Sequence, residues 1–159
     1  MDDAASRDNL ICMIGTDHGL APADVRSAFT LPDDARVVEL ALIKEAIGAT
    51  GIVVLATCNR TELWASFDNV EPPERSIDGN GAPRANDALL AALCAAHRLD
   101  PADYVQYFVC RSGDEAVEHL FQVACGLRSA IVAEDQIVSQ VKQAIASARD
   151  RKRSCRERV

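Results

Sequence analysis

Apolar and polar positions along this chain fall into blocks whose period switches between that of a strand and that of a helix. Leu10-Ile11-Cys12-Met13-Ile14 is a continuous apolar run of strand length, closed by Gly15. Residues 15–22 read as a loop and 23–29 as a short helix. Asp33 or Asp34 can cap a longer helix whose apolar face is Val37, Leu40, Ile43, Ala46 and Ile47. A second strand covers 52–56. Leu63, Ala65 and Phe67 then alternate with Glu62, Trp64 and Ser66, the pattern of a third, half-exposed strand. The short join between these strands predicts a hairpin-like bend around Cys58-Asn59-Arg60.

The second half repeats the scheme. The prolines and glycines of 71–86 read as a mobile loop. Asn86 or Asp87 caps a helix through Leu89, Leu90, Leu93 and Cys94, ending near Leu99-Asp100-Pro101. Residues 104–109 predict a fourth strand. Ser112-Gly113-Asp114-Glu115 has the form of a capping box. It opens a helix with Val117, Leu120, Phe121, Ala124 and Leu127 on one side. A last helix is expected over 134–150, with Ile137, Val141 and Ile145 on one face. The order is βαββαβ followed by helices. This predicts an α+β fold of the ferredoxin-like split βαβ kind: an antiparallel sheet, helices on one face, and additional C-terminal helices. The expected organisation is a flexible N-terminus over 1–8, one domain over 9–148, and a basic tail over 149–159.

Composition narrows the class. With 159 residues, 48% of them apolar, the chain can bury a core and is too apolar to be disordered. No apolar run approaches the ~20 residues that span a bilayer. Met1-Asp2-Asp3 is not followed by an export-type apolar region. Cysteines at 12, 58, 94, 110, 125 and 155 form no C-x-x-C pair, and histidines at 18, 97 and 119 are dispersed. This pattern fits reduced thiols in a cytoplasm, with neither a disulfide framework nor a metal site. The net charge of −7 hides an asymmetry: residues 149–158 carry +4 and the remainder about −11. An acidic body binds nucleic acid poorly without specific contacts, and the tail reads as a solvated charge run.

The chemistry concentrates at Ala56-Thr57-Cys58-Asn59-Arg60-Thr61-Glu62. An apolar strand stops at a thiol and turns polar. Arg60 supplies a positive charge of the kind that favours a thiolate and can hold an anionic substrate. A small inert apolar residue is the other reading of Cys58. His119 in the helix after 112–115 and Ser129 beyond Gly126-Leu127 are further polar groups able to serve a site, or to be structural. There is no P-loop, G-x-S-x-G or G-x-G-x-x-G, so no nucleotide site is visible.

Taken together, the pieces resemble glutamyl-tRNA reductase. Thr57-Cys58-Asn59-Arg60-Thr61-Glu62 is similar to its T-C-N-R-T-E signature. His119-Leu120-Phe121-Gln122-Val123-Ala124-Cys125-Gly126-Leu127 and Glu134-Asp135-Gln136-Ile137-Val138-Ser139-Gln140-Val141-Lys142 resemble its second block. The stretch from Gly15 through His18, Ala21 and Pro22 to Arg26 is similar to its N-terminal G-x-N-H-x-x-A-P-x-x-x-R block. The three blocks stand in the family's order and cover about residues 9–148. The family's catalytic domain has a ferredoxin-like core.

The resemblance implies roles. Cys58 would attack the ester joining glutamate to tRNA, forming an enzyme thioester that NADPH reduces to glutamate-1-semialdehyde, a precursor of 5-aminolevulinate and tetrapyrroles. Arg60 would pair with the substrate carboxylate. Thr57, His119 and Ser129 would line the glutamate pocket, with His119 also orienting the ester. His18 would be structural. Glutamyl-tRNA is the implied substrate; a separate NADPH-domain protein and glutamate-1-semialdehyde aminomutase are the implied partners. The sequence departs from the family at Asp17, Arg128 and Ala133 and at the stretch 71–86, and the family's NADPH-binding and dimerisation domains are expected to be absent. It leaves open a stand-alone aminoacyl-tRNA esterase or acyl transferase, and a non-catalytic regulatory binding module.

Overall fold

The structure is a computed structural model, and it describes residues 9–30, 33–68, 85–127 and 138–146. The expectations for 1–8, for 71–84 of the loop expected over 71–86, for Ser129, Arg128 and Ala133 and for the tail 149–159 lie outside these residues. Residues 85 and 86 already belong to a helix that starts before the expected cap at Asn86 or Asp87.

Four strands make one antiparallel sheet: β1 (Asn9–Asp17), β2 (Gly51–Ala56), β3 (Arg60–Asp68) and β4 (Val109–Ser112). Their order across the sheet is β2-β3-β1-β4. β1 and β3 are central, and β3 pairs with both β1 and β2. Helices α1 (Ala23–Ala28) and α2 (Asp33–Ala46) connect β1 to β2, and α3 (Ala85–Ala96) precedes β4. This is the split βαβ plan. Helix α5 (Asp114–Ala124) follows β4, and residues 138–146 are again helical.

The period of two in each strand divides the side chains between two layers. Leu10, Cys12, Ile14, Ile52, Val54, Leu63, Ala65 and Phe67 face α2 and α3 and build the main core with Phe29, Leu40, Ile43, Leu89, Leu93 and Cys94. Most of the opposite side chains are covered too, with Ile11 and Val53 partly buried. Met13 and Trp64 pack on Ala116 of α5, while Leu55 packs on Val123 and Val141. The sheet is therefore covered on both faces, and the expectation of helices on one face holds only for those that precede α5. For the same reason β3 is not half-exposed: residues 60–65 are all buried.

Other boundaries move. β1 runs past Gly15 to Asp17, because Thr16 and Asp17 still pair with Thr61 and Arg60. Val37 lies on the outer side of α2, 53% exposed, whereas Leu40 and Ile43 are buried. The aromatic stretch 104–108 is not a strand, and the fourth strand starts only at Val109. Asp100 accepts a hydrogen bond from the Ala102 amide and starts α4 (Pro101–Tyr104), which continues as a 3-10 turn over Val105–Tyr107. This puts Tyr104 and Phe108 against Phe29, with ring centroids 5.1 and 4.9 Å away in edge-to-face geometry. The capping box is also absent. Ser112 pairs with Cys12 in the sheet, and Gly113, at φ +55°, is the N-cap, its amide donating to the Ile11 carbonyl at 2.8 Å. Only glycine adopts that backbone readily.

Burial, with Cys110 adding a smaller effect, pushes the Cys12 thiol from 9.0 up to about 11. The folded chain keeps this proton where the unfolded chain releases it. Stability from Cys12 is thus full below about pH 9 and falls as pH rises toward about 11. Urea midpoints should decline over that range in the wild type, and less steeply in Cys12→Ala.

Candidate active site

The β2–β3 hairpin closes through Thr57-Cys58-Asn59-Arg60. The Thr57 amide donates to the Arg60 carbonyl at 2.8 Å. Thr57 Oγ1 accepts from the amides of Asn59 and Arg60 at 3.1 and 3.2 Å. One side chain thus pins both amides of the bend, as short hydroxyl residues do in turns. The neighbouring strand braces it from outside, since the His18 amide donates to the Asn59 carbonyl at 2.9 Å. His18 enters through its backbone, in keeping with a structural part.

This turn carries Cys58 out to solvent. Burial pushes the Cys94 thiol up as it does Cys12, and both of these thiols are fully buried. Among the described thiols, Cys58 alone sits on a braced turn with a cation two residues on. Thr57→Val keeps the shape and removes the acceptor. It should cost about 1 kcal/mol in urea unfolding, the net worth of an ordinary hydrogen bond, and broaden the alkylation rate of Cys58.

Beneath the turn lies a chain of buried polar groups on the α5 face. Arg60 is 4% exposed and Glu62 3%. Arg60 Nη1 donates to Glu62 Oε1 at 2.9 Å, and the same oxygen meets His119 Nε2 at 2.9 Å. Trp64 Nε1 donates to Glu62 Oε2 at 3.3 Å. The Trp64 and His119 rings stack, 6.0 Å between centroids and 26° between planes. His119 Nδ1 is buried without a hydrogen-bond partner, a state that costs about 1–3 kcal/mol unless a ligand or water relieves it.

The sequence makes room for this chain by omitting a side chain. Gly15 stands opposite Glu62 on β1, and a Cβ there would come 2.8 Å from Glu62 Cγ. Ala116, one turn before His119, lets α5 lie close to the sheet, where it is fully buried. The buried face of α5 is thus Ala116, His119 and Val123. The expected face is displaced: Phe121 is 66% exposed and Leu127 68%.

Of the residues expected at a site, Thr57, Cys58 and Arg60 share one turn, and Glu62 joins Arg60 to His119 across 57 residues of sequence. His119 is tied to the carboxylate, not to the thiol. Glu62 is the group that residue reading passed over as an exposed strand position. Its signal was Gly15 across the sheet.

A family model described as glutamyl-tRNAGlu reductase, N-terminal domain, matches residues 14–157. The chain belongs to the glutamyl-tRNA reductase family. It is 36% identical over 143 residues to a glutamyl-tRNA reductase of Alkaliphilus oremlandii, covering 88% of this chain and 38% of that protein. Over 146 residues it is 39% identical to a glutamyl-tRNA reductase of Streptomyces avermitilis, covering 88% and 22%. A probable multifunctional siroheme biosynthesis protein HemA of Ruminiclostridium josui is 37% identical over 136 residues, covering 86% and 24%. The chain therefore spans well under half the length of these relatives. The solved structure titled glutamyl-tRNA reductase from Methanopyrus kandleri superposes with a TM-score of 0.61 at 27% identity, over 89% of this chain and 29% of that one. The antiparallel sheet and its flanking helices are thus those of the reductase N-terminal domain. Among the described residues, no helix is long and apolar enough to cross a membrane, and no cluster of ligating side chains could hold a metal ion.

Proposed function

We propose that this domain captures the glutamyl group of glutamyl-tRNA as a thioester on Cys58. The observation that carries the reading is the exposed thiol on the turn braced by Thr57, two residues before Arg60 of the buried Arg60–Glu62–His119 chain. Sγ forms a bond to the acyl carbon, the ester C–O bond breaks, and the thiol proton ends on the released ribose hydroxyl. A thioester suits later hydride acceptance, because sulfur donates less electron density into the carbonyl than oxygen does. Thr57 holds the turn that presents Sγ. Arg60 and Ser129 recognise the glutamate carboxylate, Arg60 while still paired with Glu62. His119 orients the ester.

Reduction by NADPH is the family's second half-reaction. The described residues do not fit that cofactor. Their sheet is wholly antiparallel, without the parallel βαβ unit and glycine-rich turn that seat a dinucleotide. Hydride transfer is therefore assigned to a separate binding unit, and no step of it is assigned to these residues.

The test is incubation with glutamate-labelled glutamyl-tRNA without cofactor, followed by peptide mass analysis. A glutamyl adduct on the Cys58 peptide, released by hydroxylamine, is expected. Absence of both adduct and deacylation overturns the reading. Continuous deacylation without NADPH replaces it by an esterase.

A further inference from the structure

Glu62 accepts from two cationic or donor side chains at one oxygen and from Trp64 at the other. It is 3% exposed, and its neighbour Arg60 is 4% exposed. Arg60 Nη1 donates a charge-assisted hydrogen bond to one Glu62 oxygen and Trp64 Nε1 donates to the other, so both oxygens act as acceptors and the fixed guanidinium charge favours Glu62 as a carboxylate. A carboxylate can only accept. The 2.9 Å contact to His119 Nε2 then requires the hydrogen to sit on Nε2. A neutral imidazole protonated there has its lone pair on Nδ1, the ring atom left buried and unpartnered.

We propose that Glu62 is a positioning residue for acyl capture, fixing His119 as the Nε2–H tautomer while holding Arg60 in the same grip. Nδ1 is then the one ring nitrogen able to accept a hydrogen bond or a proton during the reaction. The arrangement has the logic of a carboxylate that orients a histidine without itself reacting. Gly15 belongs to the device, since a Cβ there would fall 2.8 Å from Glu62 Cγ and displace the carboxylate. The link to catalysis rests on the proposed thioester chemistry; the tautomer does not.

Two measurements separate these levels. Two-bond nitrogen–proton correlation spectra of the full chain, labelled with 15N-histidine, read the tautomer directly in the wild type, so no variant need fold. Nε2–H with an unprotonated Nδ1 at neutral pH is expected. An Nδ1–H ring, or a ring exchanging equally between both forms, overturns the proposal. For function, Glu62→Leu and Gly15→Ala are compared with Glu62→Gln, whose amide oxygen can still accept from Nε2. The first two should lose the fixed tautomer and slow single-turnover adduct formation by roughly a hundredfold, the scale of a misplaced acid–base group. Glu62→Gln should keep the tautomer and recover part of the rate. Alkylation of Cys58 by iodoacetamide should stay within about twofold throughout, as expected of a group that acts on His119 and Arg60 and leaves the thiol alone. If Gly15→Ala keeps both the tautomer and the wild-type rate, or Glu62→Leu forms adduct at that rate, the positioning role is wrong. If the wild type shows the expected tautomer but forms no adduct, the thioester reading fails and the tautomer assignment stands.

Discussion

Cys58→Ser should abolish capture of the glutamyl group, with adduct formation and deacylation slowed by about a thousandfold or more, the scale seen when a nucleophile is removed. The substitution replaces sulfur by oxygen on an exposed turn whose bracing comes from Thr57 Oγ1 and the His18 amide. Neither contact involves the Cys58 side chain, so folding should be unchanged by circular dichroism and urea midpoint. What changes is the nucleophile. A serine hydroxyl needs a base within hydrogen-bond reach, and no hydrogen bond among the described residues joins His119 to position 58: its Nε2 meets Glu62 and its Nδ1 has no partner. Liquid-chromatography mass analysis after exposure to labelled glutamyl-tRNA decides the matter. A serine variant that still accumulates labelled protein would move the attack to another residue.

Phe29→Ala should be among the most damaging single substitutions to stability, lowering unfolding free energy by about 3–5 kcal/mol. Phe29 is fully buried between α1 and the main core. It meets His97, Tyr104 and Phe108 edge to face, at 5.7, 5.1 and 4.9 Å. Those partners come from the segment between α3 and β4, so the ring joins the first βαβ half to the second. Urea unfolding followed by tryptophan fluorescence measures the effect. A loss below about 1 kcal/mol would mean that the surrounding rings close the cavity.

The strand order was legible because β1, β2 and β3 announce themselves through apolar runs and alternation, and tight turns leave little freedom in pairing them. The helix face of α5 was not. Counting apolar residues pointed to Val117, Leu120, Phe121, Ala124 and Leu127, of which Leu120 does pack against Met13 and Trp64, whereas the buried side is set by small Ala116 and by a polar pair, His119 with Glu62. Hydrophobicity carries no sign of a polar group whose partner lies on another element. Residues 104–109 misled for a related reason. Aromatic and β-branched residues favour strands in isolation, but Asp100 caps a helical turn there, and the four-residue spacing of Tyr104 and Phe108 serves Phe29. Cys58 was legible, since an apolar run ending on a thiol and an arginine needs no tertiary information. Glu62 needed Gly15, 47 positions away in the chain, to be understood.

The ferredoxin-like sheet is complete before α5 begins. β1 through β4, with α2 and α3, already close the main core. Stripped of α5, Glu62 would lose His119, and Trp64 the ring stacked on it, opening this face to water, where a high dielectric weakens the attraction between Arg60 and Glu62. The helix that contributes the imidazole is thus also the insulator that makes its hydrogen bond count. Docking of α5 and competence of the site become one equilibrium: each local opening that lifts Ala116 and Val123 off the sheet floods the carboxylate and frees the imidazole together.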